Sequence, residues 1–144
     1  MHRRTLGRGR LVAIVGALVV AAGCLLPWYS IGGDASGIPA RHVTALGGLG
    51  GLLVFLAAVA VPALVALPYA AGDRPVSIDR WPAYGLLLLV AGGGIVATAL
   101  SIIAGDLLIE GFRPERAPGI WIASVGVLVL ARGVYEIWEE PSRS

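Results

Sequence analysis

Residues 46–69 read LGGLGGLLVFLAAVAVPALVALPY and form the longest uncharged apolar run of the sequence. It contains no charged residue, and its only side-chain hydroxyl is that of Tyr69 at its end. A helix needs about 20 mainly apolar residues to cross the hydrocarbon core of a bilayer. We therefore predict a transmembrane helix here, with a kink at Pro62, because proline removes one backbone hydrogen bond and clashes with the preceding turn.

One further apolar stretch precedes this one, at residues 11–28, and two follow it, at residues 82–104 and 118–138. Backbone groups in lipid must be paired within the protein, which favours helices over open strands, and a β-barrel would show short alternating segments instead. The connecting segments are too short to form a second domain. The predicted fold class is an all-α membrane protein, an antiparallel four-helix transmembrane bundle that forms one domain over residues 1–144.

The composition supports this class and argues against several functions. Hydrophobic residues make up 57% of the 144 residues and charged residues only 14%, against about 25% charged residues in soluble domains. The basic residues are all arginines and form no stripe with interleaved aromatics, so we predict no nucleic-acid partner. Cys24 is the only cysteine, and His2 and His42 lack the spacing of metal ligands. We predict no metal and no cofactor.

The arginines predict an orientation in the plasma membrane, because cytoplasmic loops carry an excess of basic residues. With the N-terminus inside, eight arginines are cytoplasmic, namely Arg3, Arg4, Arg8, Arg10, Arg74, Arg80, Arg132 and Arg143. Three lie outside, namely Arg41, Arg113 and Arg116. Four spans return the chain to its starting side, so both termini are predicted to be cytoplasmic.

Small residues recur at helical intervals in three of the four spans. They are candidate helix-packing residues, because close backbone approach drives helix association in lipid; they are Gly16, Gly23, Gly93, Ala97, Gly119, Gly126 and Gly133. Either they pack the bundle internally, or some of them form an interface with a second copy or a membrane partner.

The first and last spans also resemble each other. Residues 9–28 align with residues 119–138 with nine identities in twenty positions, three of them glycines. A duplication would produce this match, and so would chance between two segments rich in Gly, Ala, Val and Leu.

Arg132 and Glu136 are the only charged residues within the four predicted spans. Their spacing places them on one helix face, where they can form an ion pair. A charged residue within a span is a candidate functional group, so we treat the two as a candidate functional pair. The alternative is an interfacial anchor, because an arginine this close to the end of a span can extend its guanidinium to the headgroups.

Two further patterns resemble a lipoprotein signal and a phosphate loop, and both have simpler interpretations. Arg3 and Arg4 followed by an apolar run and Cys24 resemble a lipoprotein signal cleaved before the cysteine, but apolar residues follow it where a polar tether is usual. The sequence leaves open whether this segment is ever processed. The glycines of residues 47–51 lack the Lys-Ser/Thr of a phosphate loop. With no Ser-His-Asp set and no paired carboxylates in the spans, we predict no catalytic residues and no enzyme.

The Pro27-Trp28-Tyr29 step, followed by Gly32-Gly33 and a second span that opens with glycines, resembles a type of small bacterial and archaeal membrane protein. The resemblance covers about the first 60 residues and implies four spans, with no activity attached to it. The predicted function is therefore structural or interactive, through packing with itself or with a membrane partner in the lipid bilayer. The alternatives are an oligomeric channel or small transporter subunit and, with less support, a membrane enzyme that acts on lipid.

Overall fold

Four long helices and a short β-hairpin make up the part of the protein that the structure describes. The structure is a computed structural model that describes residues 6–33, 37–70, 81–104 and 114–140. The elements in chain order are α1 (Arg8–Leu25), β1 (Pro27–Gly33), β2 (Ile38–Thr44), a 3-10 turn (Ala45–Gly47), α2 (Leu49–Ala70), α3 (Trp81–Ala104) and α4 (Pro118–Glu139). All four helices are long and apolar enough to cross a membrane.

The described residues bear out the mainly helical architecture, but the all-α prediction is wrong over residues 27–44. The first span was predicted to continue to Trp28, whereas α1 ends at Leu25 and Pro27 begins β1. Proline has no N–H for a helical bond and disfavours helical geometry in the residue before it. The second helix begins at Leu49, three residues later than predicted, because Ala45–Gly47 forms the 3-10 turn.

The hairpin is a two-stranded antiparallel sheet in which Ser30 lies opposite His42 and Ile31 opposite Arg41. Its turn is flanked by Gly32 and Gly33, with φ of +84° and +126°, and by Gly37 with φ of +66°. L side chains rarely adopt such angles, which explains why glycines stand there. The sequence analysis predicts only a connecting segment between the first two spans, although the alternation of Tyr29 and Ile31 before these glycines is typical of a strand.

The helices form an antiparallel bundle in which α1 packs on α2 and α4, and α3 packs on the other sides of α2 and α4. The core has two clusters along the bundle. The one near the hairpin contains Val20, Trp28, Val54 and Ala123. The other contains residues from the opposite halves of the same helices, including Ala13, Val61, Tyr84 and Leu130. Helix α2 runs through both Pro62 and Pro68.

Burial and hydropathy run opposite to the order expected of a protein in water. Helix α3 is the least buried, at 17% of its most apolar window, yet its mean hydropathy is 2.4. Helix α4 is 39% buried and its mean hydropathy is only 1.6. In water the most apolar helix would be the most buried, because burial of apolar surface is what stabilises the fold. The outer surface of this bundle therefore suits an apolar solvent.

Part of the predicted topology lies outside the described residues. This applies to segments 71–80 and 105–113, and to six of the arginines used to predict the orientation, namely Arg3, Arg4, Arg74, Arg80, Arg113 and Arg143.

Candidate functional site

Helices α1 and α4 meet along a seam of glycines, and we use the term glycine seam for the contacts among Gly9, Gly16, Gly23, Gly119, Gly126 and Gly133. A Cβ added at Gly16 would lie 2.9 Å from the carbonyl oxygen of Gly126, and one added at Gly126 would lie 3.0 Å from that of Gly16. Gly23 and Gly119 approach each other in the same way, at 2.9 Å and 2.6 Å. Only hydrogen atoms fit between the two backbones, so every one of these positions requires glycine.

The glycine seam has a local two-fold symmetry that follows the alignment of the first and last spans. A Cβ on Gly23 would lie 2.6 Å from the nitrogen of Ala123, and one on Gly133 would lie 2.5 Å from the nitrogen of Ala13. In the alignment Gly23 corresponds to Gly133 and Ala13 to Ala123, so each contact maps onto the other. An inverted duplication would leave this symmetry, and chance similarity between two glycine-rich antiparallel helices would also produce it.

The remaining candidate packing residues, Gly93 and Ala97 on α3, lie outside the seam. Both are exposed, and a Cβ added at Gly93 would meet nothing within 4 Å. Ser101 continues the same exposed stripe one turn further on, and its hydroxyl donates to the carbonyl oxygen of Thr98 at 2.8 Å. We call the stripe of Gly93, Ala97 and Ser101 the α3 groove. No described part of this chain covers it.

Charges of α1 and α4 meet at the end of the bundle where α1 begins and α4 ends. Nε of Arg132 lies 3.2 Å from Glu136, and Nε of Arg8 lies 3.9 Å from the other oxygen of the same carboxylate. Arg10 donates to Glu140 at 2.8 Å. The sequence indicated the Arg132–Glu136 pair but not the contribution of α1.

Aromatic side chains surround this charged end. The guanidinium of Arg132 lies 5.7 Å from the centroid of the Tyr135 ring. Trp138 contacts Tyr135 edge-on, with ring centroids 6.0 Å apart, and lies 6.4 Å from the ring of Trp81 on α3. All three rings are exposed. Exposed Trp and Tyr at the end of an apolar span are typical of the depth at which lipid headgroups begin.

At the opposite end, Trp28 joins the hairpin to the bundle. Its ring is fully buried, and its indole N–H donates to the carbonyl oxygen of Gly23 at 3.1 Å. The same oxygen also accepts the backbone N–H of Leu26 at 3.2 Å, so Trp28 adds a second hydrogen bond at the end of α1 while it fills the core. The sequence predicts Trp28 only as the last residue of the first span, and no local pattern indicates its hydrogen bond to α1.

The hairpin also brings together a serine and a histidine. Oγ of Ser30 lies 2.8 Å from Nδ1 of His42 and 3.4 Å from the carbonyl oxygen of Arg116. A nucleophilic serine needs a base that a third group orients, and no carboxylate among the described residues contacts His42. The Ser30–His42 contact joins the two strands, and the hydrogen bond to Arg116 joins the hairpin to the segment before α4.

A cavity of about 180 Å³ lies beside the hairpin, between the start of α2 and the end of α3. Its lining includes Tyr29, Thr44, Gly50, Thr98 and Ser101. The Thr98 hydroxyl is already engaged, since it donates to the carbonyl oxygen of Gly94 at 2.8 Å. No group of three or more His, Cys, Asp or Glu side chains that could hold a metal occurs in the described parts of the chain.

No family model, curated protein or solved structure matches this chain. The resemblance carried by the Pro27-Trp28-Tyr29 step therefore remains a prediction.

Proposed function

We propose that the protein spans the plasma membrane with both ends in the cytoplasm, and that its function is to associate through its helices with itself or with a membrane partner. The inverted order of burial and hydropathy supports the insertion, because lipid solvates the apolar faces that water would not. The arginine bias of the sequence supports the orientation. In that orientation the charged end faces the cytoplasm and the hairpin faces outward.

The exposed small residues of the α3 groove are the main support for the proposed association. Helices in lipid gain little from burying apolar surface, so they associate where small residues let their backbones come close. Within the bundle the glycine seam already uses this principle. The α3 groove repeats it on the outer face, where Gly93 and Ala97 are exposed between larger side chains such as Leu89, which is 72% exposed.

The test is to fill the α3 groove and measure association in mild detergent. Two tagged copies of the chain are co-expressed and co-purified, and other bound proteins are identified by mass spectrometry. We expect Ala97→Leu to abolish the association that the unsubstituted chain shows. The matched control is Ala22→Leu, which adds the same bulk to an exposed position on α1. The proposal fails if no association is found, or if Ala97→Leu and Ala22→Leu behave alike.

The transport alternative gains no support from the described spans. The Thr98 hydroxyl donates to the carbonyl oxygen of Gly94, and the Ser124 hydroxyl donates to that of Ile120. Polar groups that bind a substrate or ion would have to face a shared path. In transporters with inverted repeats the substrate site lies between the repeats, and here backbone contacts of the glycine seam fill that place.

A further inference from the structure

Two arginines on different helices share one carboxylate at the charged end. Arg8 of α1 and Arg132 of α4 both contact Glu136, at 3.9 Å and 3.2 Å. The side chain of Glu136 is 16% exposed, whereas those of Arg8 and Arg132 are 87% and 63% exposed. The negative charge therefore lies beneath the two positive charges, and the surface above it is positive.

The six described charges at this end balance, three arginines against three glutamates, so the positive surface is local to the two exposed guanidiniums. Arg10 and Glu140 form a pair of their own at 2.8 Å. Glu139, the third carboxylate at this end, is exposed. Arg8 and Arg132 each contact Glu136 through Nε. Because a guanidinium carries five N–H donors, the terminal amino groups of both arginines can donate to a further acceptor.

We propose that Arg8 and Arg132 together bind the phosphate of an acidic phospholipid. Guanidinium groups bind phosphate oxygens through paired hydrogen bonds, and two of them on adjacent helices make a site rather than a diffuse charge. The exposed rings of Trp81, Tyr135 and Trp138 place these groups at headgroup depth. The inference rests on the proposed membrane insertion and is independent of the α3 groove.

The test uses the full chain reconstituted into vesicles of equal parts phosphatidylcholine and phosphatidylglycerol. The lipids that remain bound after extraction in mild detergent are counted by native mass spectrometry. We expect phosphatidylglycerol to be enriched, and the enrichment to fall by about fivefold for each arginine removed, as for basic residues near an anionic surface. The variants are Arg8→Gln, Arg132→Gln and the double substitution. The control is Arg41→Gln, which removes an exposed arginine from the hairpin and should leave the enrichment unchanged.

Further measurements distinguish a site for lipid phosphate from a site for free phosphate. Glu136→Gln removes the carboxylate that competes for both guanidiniums, so it should preserve or increase the enrichment. Inorganic phosphate added to the mixed vesicles should not displace the lipid, and displacement would show a site for free phosphate instead.

Equal enrichment in the double variant and the unsubstituted chain would overturn the proposal. Because Arg8 is 87% exposed, Arg8→Gln tests the site without endangering the fold. A chain absent from the vesicle fraction would instead refute the membrane insertion.

Discussion

The glycine seam and the α3 groove use the same residue types at helical spacing in opposite surroundings. In the seam, Gly16 and Gly126 lie against each other's backbone, and no side chain larger than hydrogen fits. In the groove, a Cβ on Gly93 would meet nothing within 4 Å. The difference teaches that small-residue spacing identifies a surface suited to helix packing, while the structure alone shows whether the packing is already used within the bundle.

The largest expected effect comes from adding one methyl group to each surface. A Cβ at Gly16 would collide with the backbone nitrogen of Leu130, so we expect Gly16→Ala to lower the free energy of unfolding by about 1–3 kcal/mol, as for other overpacked cores. Gly93→Ala should cost nothing, because alanine favours a helix over glycine by about 1 kcal/mol. Unfolding in detergent mixtures of increasing denaturing strength measures both. Equal effects would remove the distinction between the two surfaces.

A loss of stability of intermediate size is expected at Trp28, which contacts Gly23 at one end of the glycine seam. Trp28→Phe keeps most of the buried ring but leaves the carbonyl oxygen of Gly23 without its indole donor. We expect a loss of about 0.5–1.5 kcal/mol, the net contribution of one hydrogen bond, because the backbone N–H of Leu26 still donates to the same oxygen. Trp138→Phe is the control, since Trp138 occupies the corresponding position of the last span and is exposed. If the two substitutions shift the melting temperature equally, Trp28 does not stabilise the seam in this way.

Features that depend on residues close together in the sequence could be predicted, and features that depend on distant residues could not. Apolar runs long enough to cross a bilayer are a local property, so the four helices could be predicted, and α3 and α4 begin within one residue of the predicted positions. The hairpin depends on pairing between residues up to 17 positions apart, such as Pro27 and Thr44, and its turn glycines alone indicated only a loop. For the same reason Arg132–Glu136, four residues apart, was found while Arg8 and Arg10 were missed.

The smallest expected effect is at Arg132, whose guanidinium is mostly exposed. Arg132→Lys should leave the melting temperature nearly unchanged, because lysine also reaches the headgroups. Arg132→Leu removes the pair with Glu136, and we expect a loss of about 1 kcal/mol or less, as for other exposed pairs. Arg8 still contacts the carboxylate in both variants. A fall as large as that of Gly16→Ala would show that the charged end stabilises the bundle as strongly as the seam does.

The central claim is that the chain spans the membrane with the hairpin outside, and cysteine labelling of intact cells tests it most directly. Cys24 is fully buried in α1, so the unsubstituted chain is the unlabelled control. A membrane-impermeant maleimide should label Ala40→Cys, which is exposed on β2. It should label Ser77→Cys, in the segment between α2 and α3, only after the membrane is opened. Labelling of Ser77→Cys in intact cells, with or without labelling of Ala40→Cys, would contradict the account.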